Sequence, residues 1–307
     1  MNASGPGLWL APLRGVTIRA FRETFASAIE EAGFIGAFAP FIPANPGIRV
    51  SDRLLADLMP FPAEHHVALL VPQVITKHPD AMRELLKGFK ARGFDRADLN
   101  AGCPFPMIVR RGRGSGLLRS PDTLERLLAA GCEEMGPDRF SVKVRLGIEC
   151  PDELLKLMPT LNRYPLAAVT VHARTARQMY SGDCDHAAFA EVCAASANPV
   201  IYNGDLPSPP VPGNGFNGLR TLDGLKALTG LMVGRGFIRA LGARADAVTL
   251  LRAYIASSRA ELCGDRPVLG RMKELLAYWA EGSSFWRRLW PVVKICRSVD
   301  ELLSLLP

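Results

Sequence analysis

Apolar residues along this 307-residue chain gather into eight short runs, at 8–12, 34–41, 67–75, 97–103, 140–146, 167–174, 200–205 and 230–237. Each has the length of a buried strand. Most of the gaps carry helical periodicity, as in 80–92 with apolar Ala81, Leu85, Leu86 and Phe89. Pro79-Asp80 and Ser120-Pro121-Asp122 read as helix starts, because proline fits the first turn and an acid is favoured there. Eight strand–helix alternations predict an α/β fold of the TIM (β/α)8 barrel type. A doubly wound open sheet is the alternative, disfavoured because no Gly-x-Gly-x-x-Gly follows the first run. Beyond the eighth run the pattern turns helical, with helices predicted over 243–261, 270–279 and 284–306. The expected organisation is a barrel over 1–240 and a small helical domain over 241–307. The Pro- and Gly-rich segment 206–218 is expected to be a long surface loop after the seventh strand.

Strand alternation assigns side chains to faces. In Phe140-Ser141-Val142-Lys143-Val144-Arg145-Leu146 the apolar set shares one face, and Ser141, Lys143 and Arg145 share the other. The outer face of a barrel packs on helices, so the charged set must point inward or toward the mouth. Thr170, His172 and Arg174 share the inner face of the sixth strand, Asp98 and Asn100 that of the fourth, and Asn203 that of the seventh. A single inward cation is commonly a satisfied ion pair, but several at successive strand ends point to a site that meets an anion.

The fourth run ends in Leu99-Asn100-Ala101-Gly102-Cys103-Pro104. Pro104 stops the ladder, so Cys103 falls in the loop after a parallel strand, where barrels keep their chemistry. A buried structural thiol is the alternative. Asn203-Gly204-Asp205 and Gly234-Arg235-Gly236 end the last two runs, the positions at which phosphate-binding barrels present backbone N–H groups. Arg235 can fork onto such a phosphate, so a phosphate-anchored cofactor is expected.

Composition narrows the setting. No uninterrupted apolar stretch is long enough for a bilayer, and residues 1–6 lack the basic and apolar regions of a signal peptide. The seven cysteines include no Cys-x-x-Cys pair, so neither a zinc ribbon nor a disulfide framework is indicated, no metal is expected, and a cytoplasmic location is. Net charge is +7 and the sequence pI about 9.2, a balance that favours polyanionic partners. Arg110, Arg111, Arg113 and Arg119 follow the cysteine, and Arg271, Lys273, Arg287, Arg288, Lys294 and Arg297 crowd the tail. A solvated charged face is the competing reading for each cluster.

Taken in order, Leu10-Ala11-Pro12-Leu13-Arg14-Gly15-Val16-Thr17, Leu99-Asn100-Ala101-Gly102-Cys103-Pro104, Gly114-Ser115, Ser141-Val142-Lys143-Val144-Arg145-Leu146-Gly147, Val171-His172-Ala173-Arg174-Thr175, Tyr180-Ser181-Gly182, Asn203-Gly204-Asp205 and Gly234-Arg235-Gly236 resemble the tRNA-dihydrouridine synthase family. The resemblance covers the barrel and is weaker over the tail. It implies a TIM barrel carrying FMN at its top, reduced by NADPH, and a helical tail that grips tRNA, with no membrane partner and a monomeric chain. It places Pro12, Leu13 and Arg14 against the flavin, Gln73 and Lys143 at its ring, and His172 nearby. Asn203, Gly204, Asp205, Gly234 and Arg235 would hold the phosphate and ribityl end. Asn100 would meet the uracil or its backbone, Arg174 would orient cofactor or RNA, and Cys103 would be the proton donor. The uridine must leave its stack to reach such a site.

The chain departs from the family pattern on the substrate side. Pro106 and Val109 stand where a lysine and an asparagine are usual, the second run (Ala37-Phe38-Ala39-Pro40-Phe41) lacks the usual glutamate, and Arg14 replaces an acidic or small residue. Two other functions therefore stay open. One is a flavin reductase of the same fold acting on ribosomal RNA or a small-molecule alkene, and the other a catalytically degenerate RNA-binding homologue.

Overall fold

A computed structural model describes residues 7–307 except 63, 66, 68 and 208–223. Most of the predicted 206–218 loop and all of 1–6 lie outside the described residues, so those two expectations go no further.

The strands are β1 Gly7–Leu10, β2 Phe34–Phe38, β3 Ile42–Pro43, β4 Leu69–Val71, β5 Gln73–Ile75, β6 Ala97–Ala101, β7 Phe140–Gly147, β8 Val169–Thr175, β9 Val200–Asn203 and β10 Leu228–Val233. All pair in parallel, in the order β3-β5-β6-β7-β8-β9-β10-β1-β2-β4. One expected run, 67–75, is thus split at a proline, and another, 34–41, is interrupted at one, with β3 just beyond its expected end. Pro40 separates β2 from β3 and Pro72 separates β4 from β5, because proline has no N–H to give the ladder. Each pair of halves continues the same course: β2 pairs with β4, β3 with β5, and β5 with β6. The carbonyl of Pro72 still accepts from the Asp98 N–H at 2.9 Å. Chain continuity through the two prolines therefore closes the ring of eight that the alternation predicts.

Two apolar layers result. The outer faces of the strands and the inner faces of the helices form one large core that also includes the tail. Helix Pro79–Ala91 shows why: Ala81, Met82, Leu85, Leu86 and Phe89 recur at helical spacing and are all buried. A smaller cluster of Ala11, Phe38, Val71, Ala168, Ile201 and Met232 belongs to the lumen. Close packing between layers is sharpest at Gly131, where an added Cβ would lie 2.1 Å from the Phe140 ring. We expect Gly131→Ala to lower stability, since overpacking costs about 1–3 kcal/mol against about 1 kcal/mol of helix propensity gained. A fall in the urea midpoint checks this.

The C-terminal boundaries differ from expectation. The eighth run was expected to reach Phe237, yet β10 stops at Val233 and Arg235–Leu241 is a helix. Gly234 breaks the extended backbone, and Phe237, Ile238 and Leu241 then bury one helical face. The tail helices are Ala247–Glu261, Asp265–Gly282, Ser284–Ile295 and Val299–Ser304. The last two were expected as one. Lys273 holds the carbonyls of Lys294 and Cys296 at 2.8 and 2.7 Å, and the Ser298 hydroxyl accepts the Glu301 N–H at 3.1 Å as a new cap.

The tail is seated on the barrel by aromatic residues. Phe21 and Phe25 meet Tyr254 edge-on at 6.2 and 5.6 Å, Phe25 meets Trp279 at 6.3 Å, and the Trp286 indole donates to the Gly242 carbonyl at 2.9 Å. This seating brings Glu274 to the loop after β1. Gly15 there has φ +79°, and a Cβ on it would lie 2.5 Å from a Glu274 oxygen.

Candidate active site

Pairing registers stack the inward polar residues in layers. Gln73, Asp98 and Ser141 lie abreast on β5, β6 and β7. One step toward the C-terminal ends, Asn100, Lys143 and Thr170 lie abreast on β6, β7 and β8, and beyond them come Arg145, His172 and Asn203. The parity read from the apolar pattern is the observed one, and the polar residues of β5 to β9 share the inner face.

The lowest layer is fully bonded. Asp98 accepts from the Ser141 hydroxyl at 2.6 Å and from the Gln73 amide at 2.7 Å. Burial raises Asp98 to about 6 against these two donors and the charge of Lys143. Asn100 donates to Gln73 at 2.8 Å and accepts the N–H groups of Gly102 and Cys103 at 3.2 and 2.9 Å. The cysteine loop is held from its other side too. The Cys103 carbonyl accepts from the N–H and the hydroxyl of Ser115, both at 3.0 Å, and Gly114, at φ +55°, lets the chain pass that carbonyl.

Cys103 is 9% exposed. Burial pushes its thiol above the ordinary range, against the Phe105 N–H and the charges of Arg145, Arg14 and Lys143. Burial thus favours the thiol over the thiolate. Lys143 donates to Asn203 Oδ1 at 2.7 Å, while Asn203 Nδ2 donates to the Met232 carbonyl at 2.8 Å. Burial, with the charge of Arg145, lowers Lys143 to about 7. His172 is held well below its usual value by burial and by Arg145, Lys143, Arg174 and Arg235. Arg174 Nη1 lies 3.3 Å from His172 Nε2, and since arginine can only donate, the imidazole proton resides on Nδ1.

At the rim, Asp205 bonds both Arg174 and Arg235, the latter at 2.7 Å. Burial would raise the Asp205 carboxyl, but Arg174 and Arg235 hold it below its usual value. Leu13 borders Gly234, whose added Cβ would lie 3.1 Å from the Ala11 Cβ and 3.5 Å from Leu13. Pro12 is partly buried in the same loop, Gly204 follows Asn203 at the rim, and exposed Arg14 lies over the Phe41 ring at 5.6 Å.

Two contributors were given no individual role from the sequence. Arg145 ties the carbonyls of Gly102 and Thr175, both at 2.9 Å, so it joins the cysteine loop to the end of β8. Tyr180 has two guanidinium groups over its ring, Arg145 at 5.3 Å and Arg235 at 5.0 Å. The signal for Arg145 was its inward parity. Tyr180 stood in a matched tripeptide with no role attached.

The basic clusters divide. Arg271 bonds Glu261 and Ser258, Lys273 bonds backbone carbonyls, Arg113 bonds Asn45, and Arg119 bonds Glu149. Arg110, Arg111, Arg287, Arg288, Lys294 and Arg297 are exposed. Among the described residues no helix is long and apolar enough to cross a membrane, and no group of three or more His, Cys, Asp or Glu could hold a metal ion.

Residues 9–252 match the family model for dihydrouridine synthase (Dus). The chain is 30% identical over 237 residues to a "Probable tRNA-dihydrouridine synthase" of Helicobacter pylori, covering 76% of this chain and 67% of that protein. It is 28% identical over 203 residues to tRNA-dihydrouridine synthase B of Vibrio cholerae, covering 66% and 61%. Over 153 residues it is 30% identical to the tRNA-dihydrouridine(47) synthase [NAD(P)(+)] of Cryptococcus neoformans, covering 48% and 21%. Among solved structures, morphinone reductase matches with TM-score 0.52 at 12% identity over 78% of this chain and 88% of that one. The old yellow enzyme from Trypanosoma cruzi matches with TM-score 0.50 at 12% identity over 76% and 85%. At such identity the likeness is one of fold.

Proposed function

The chain belongs to the dihydrouridine synthase family, and from that premise we propose that it reduces the C5–C6 double bond of a uridine in tRNA to 5,6-dihydrouridine, with FMN as cofactor and NADPH as reductant. The tRNA substrate follows the names of its relatives, one of which also carries NAD(P). The observation that carries the reading is a buried loop thiol, favoured in its protonated form by that burial, beside a mouth lined by Lys143, Arg145, Arg174 and Arg235.

The donor set fits an anionic cofactor. Four cations act together on His172, and the buried Thr170 hydroxyl, in register with Lys143, has no partner. FMN held there, once recharged by NADPH, would supply the hydride for C6 of the uracil. Lys143 and Gln73 would hold its ring, with Pro12, Leu13 and Arg14 against it and His172 offering Nδ1–H. Gly204, Gly234 and Arg235 would take its phosphate. Asp205 cannot accept a phosphate, since both are anionic; its carboxylate instead fixes the guanidinium groups of Arg174 and Arg235. Asn203, by directing Lys143, sets where the ammonium points.

Cys103 gives its proton to C5, and solvent returns one to the thiolate. Asn100, which bonds the amide of Cys103 in the same loop, would meet the uracil or its backbone. The exposed cations Arg110 and Arg111 beside the loop, and Arg288, Lys294 and Arg297 on the tail, would grip RNA phosphates. In this reading residues 1–240 bind the cofactor, 241–307 bind RNA, and the chain acts as a monomer in the cytoplasm.

The test is to purify the protein, record its visible spectrum, and incubate it with NADPH and unmodified tRNA, with nucleoside mass spectrometry as the readout. A flavin spectrum and dihydrouridine are expected. A flavoprotein that oxidises NADPH but leaves tRNA unchanged would overturn the tRNA assignment and direct the search to ribosomal RNA, the reading motivated by Pro106 and Val109. A colourless protein that cannot be reconstituted with FMN would overturn the enzyme itself.

A further inference from the structure

We propose that Phe105 is a stacking platform for the nucleobase next to the uridine that is reduced, so that this chain holds RNA beside its thiol by aromatic contact where side-chain hydrogen bonds are missing. The proposal rests on the RNA substrate argued above and names how that substrate is gripped.

Six residues follow Cys103 without a polar side chain: Pro104, Phe105, Pro106, Met107, Ile108 and Val109. The Met107 thioether is a weak acceptor, and the other five side chains offer no hydrogen bond. This loop therefore cannot read the edge of a base through its side chains, and contact with the face of a base remains. Phe105 and Met107 are nonetheless turned out, at 50% and 66% exposure, on either side of Pro106. Cations resume at once: Arg110 and Arg111 are exposed, and Lys77 borders Gly112, 3.6 Å from where a Cβ would stand. An exposed aromatic ring beside a row of cations is the combination that holds single-stranded nucleic acid.

Geometry selects Phe105 over its aromatic neighbour. The Tyr180 ring lies 6.5 Å away and inclined at 58°, so the two rings form no parallel slot that one base could fill. Tyr180 already has Arg145 and Arg235 over its ring, whereas among the described residues no cation lies over that of Phe105. The platform is also preset. Pro106 disfavours a helical conformation at the residue before it, and Phe105 stands at φ −59° and ψ 128°. Its carbonyl accepts the N–H groups of Ile108 and Val109 at 2.8 and 3.0 Å, the start of the short helix Pro106–Val109. A ring on so fixed a backbone loses little freedom when a base lands on it. Position then names the base. Phe105 is two residues from the thiol and follows β6, away from the strands assigned to the cofactor. When a uridine leaves its stack for the mouth, its neighbour loses a stacking partner, and this ring replaces it.

The measurement is RNA affinity by fluorescence anisotropy for wild type, Phe105→Ala, Phe105→Leu and Phe105→Trp. The probes are unmodified tRNA, a short oligouridylate, and an abasic ribose-phosphate oligomer of the same length. Phe105→Ala is expected to weaken tRNA and oligouridylate by about 5- to 100-fold, the worth of one base–aromatic stack. Leucine should recover little of that loss and tryptophan most of it. The abasic oligomer should bind all four proteins alike. The slope of affinity against salt should stay unchanged in Phe105→Ala, because no phosphate contact is lost. Equal RNA affinity in wild type and Phe105→Ala overturns the proposal, as does full recovery by leucine or an equal loss with the abasic oligomer. Loss of FMN in step with RNA would give the ring to the cofactor, and a dimer broken by Phe105→Ala at unchanged RNA affinity would give it to a second copy; either overturns the platform. Turnover is read separately. Wild type that shows this base-dependent binding but makes no dihydrouridine would remove the proposed reaction and leave the platform standing. Dihydrouridine formed with the same KM for tRNA by wild type and Phe105→Ala would do the reverse.

Discussion

Cys103→Ala should lower dihydrouridine formation by about 10²–10⁴-fold, the range for removing a positioned general acid, while leaving FMN bound. The flavin spectrum after gel filtration and nucleoside mass spectrometry check the two halves. The separation is expected because the residues assigned to the cofactor lie on other strands, whereas the loop is anchored through its backbone by Asn100, Ser115 and Arg145. None of those bonds involves the sulfur, so alanine keeps the loop and loses only the proton. The pH dependence has a definite sign. A donor must be protonated, and burial raises this thiol, so its contribution persists through neutrality and is lost only as pH rises beyond the ordinary thiol range. A pH–rate profile whose alkaline limb is missing in the residual activity of the variant would identify the group. Full turnover by Cys103→Ala would remove Cys103 from the chemistry.

Lys143→Met should cost about 10²–10³-fold in turnover, the scale for deleting one preorganised electrostatic contact, and should also weaken FMN. The lysine is poised to titrate near neutrality, since burial and Arg145 bring it to about 7. An anionic cofactor beside it favours the ammonium form. FMN binding at pH 8 should therefore take up a proton, in the wild type and not in Lys143→Met. Titration calorimetry in buffers of different ionisation enthalpy reads that uptake directly. Equal uptake in both proteins would assign the proton to another group.

Much of this architecture was legible because it depends on local rules. Period-two alternation in 140–146 put Lys143 and Arg145 on the inner face, and they are there, because successive side chains on a strand alternate whatever the strand pairs with. Pro104 after Cys103 predicted a loop thiol for an equally local reason. The glycines ending the last two runs marked the rim in the same way. Boundaries were less legible where a short segment satisfies two patterns. Phe237 reads as the end of an apolar run until Gly234 breaks the strand and the side chains regroup at helical spacing. In the tail, one amphipathic stretch became two helices because Lys273, more than twenty residues away, holds the carbonyls at the break.

The amino-acid sequence by itself determined the eight-strand alternation, the inward parity of the charged residues, and the place of the thiol and the glycine-rich ends, since each follows from steric and periodic constraints within a few residues. Only the tertiary structure decided that two proline-split strands still close the ring, that Asp205 serves two arginines, and that Gln73, Asp98 and Asn100 form one oriented chain. The side-chain contacts among these join residues 25 to 31 apart in sequence, as in Gln73 to Asp98 and Arg174 to Asp205. Their partners are set by register between neighbouring strands, and register exists only once the barrel has closed.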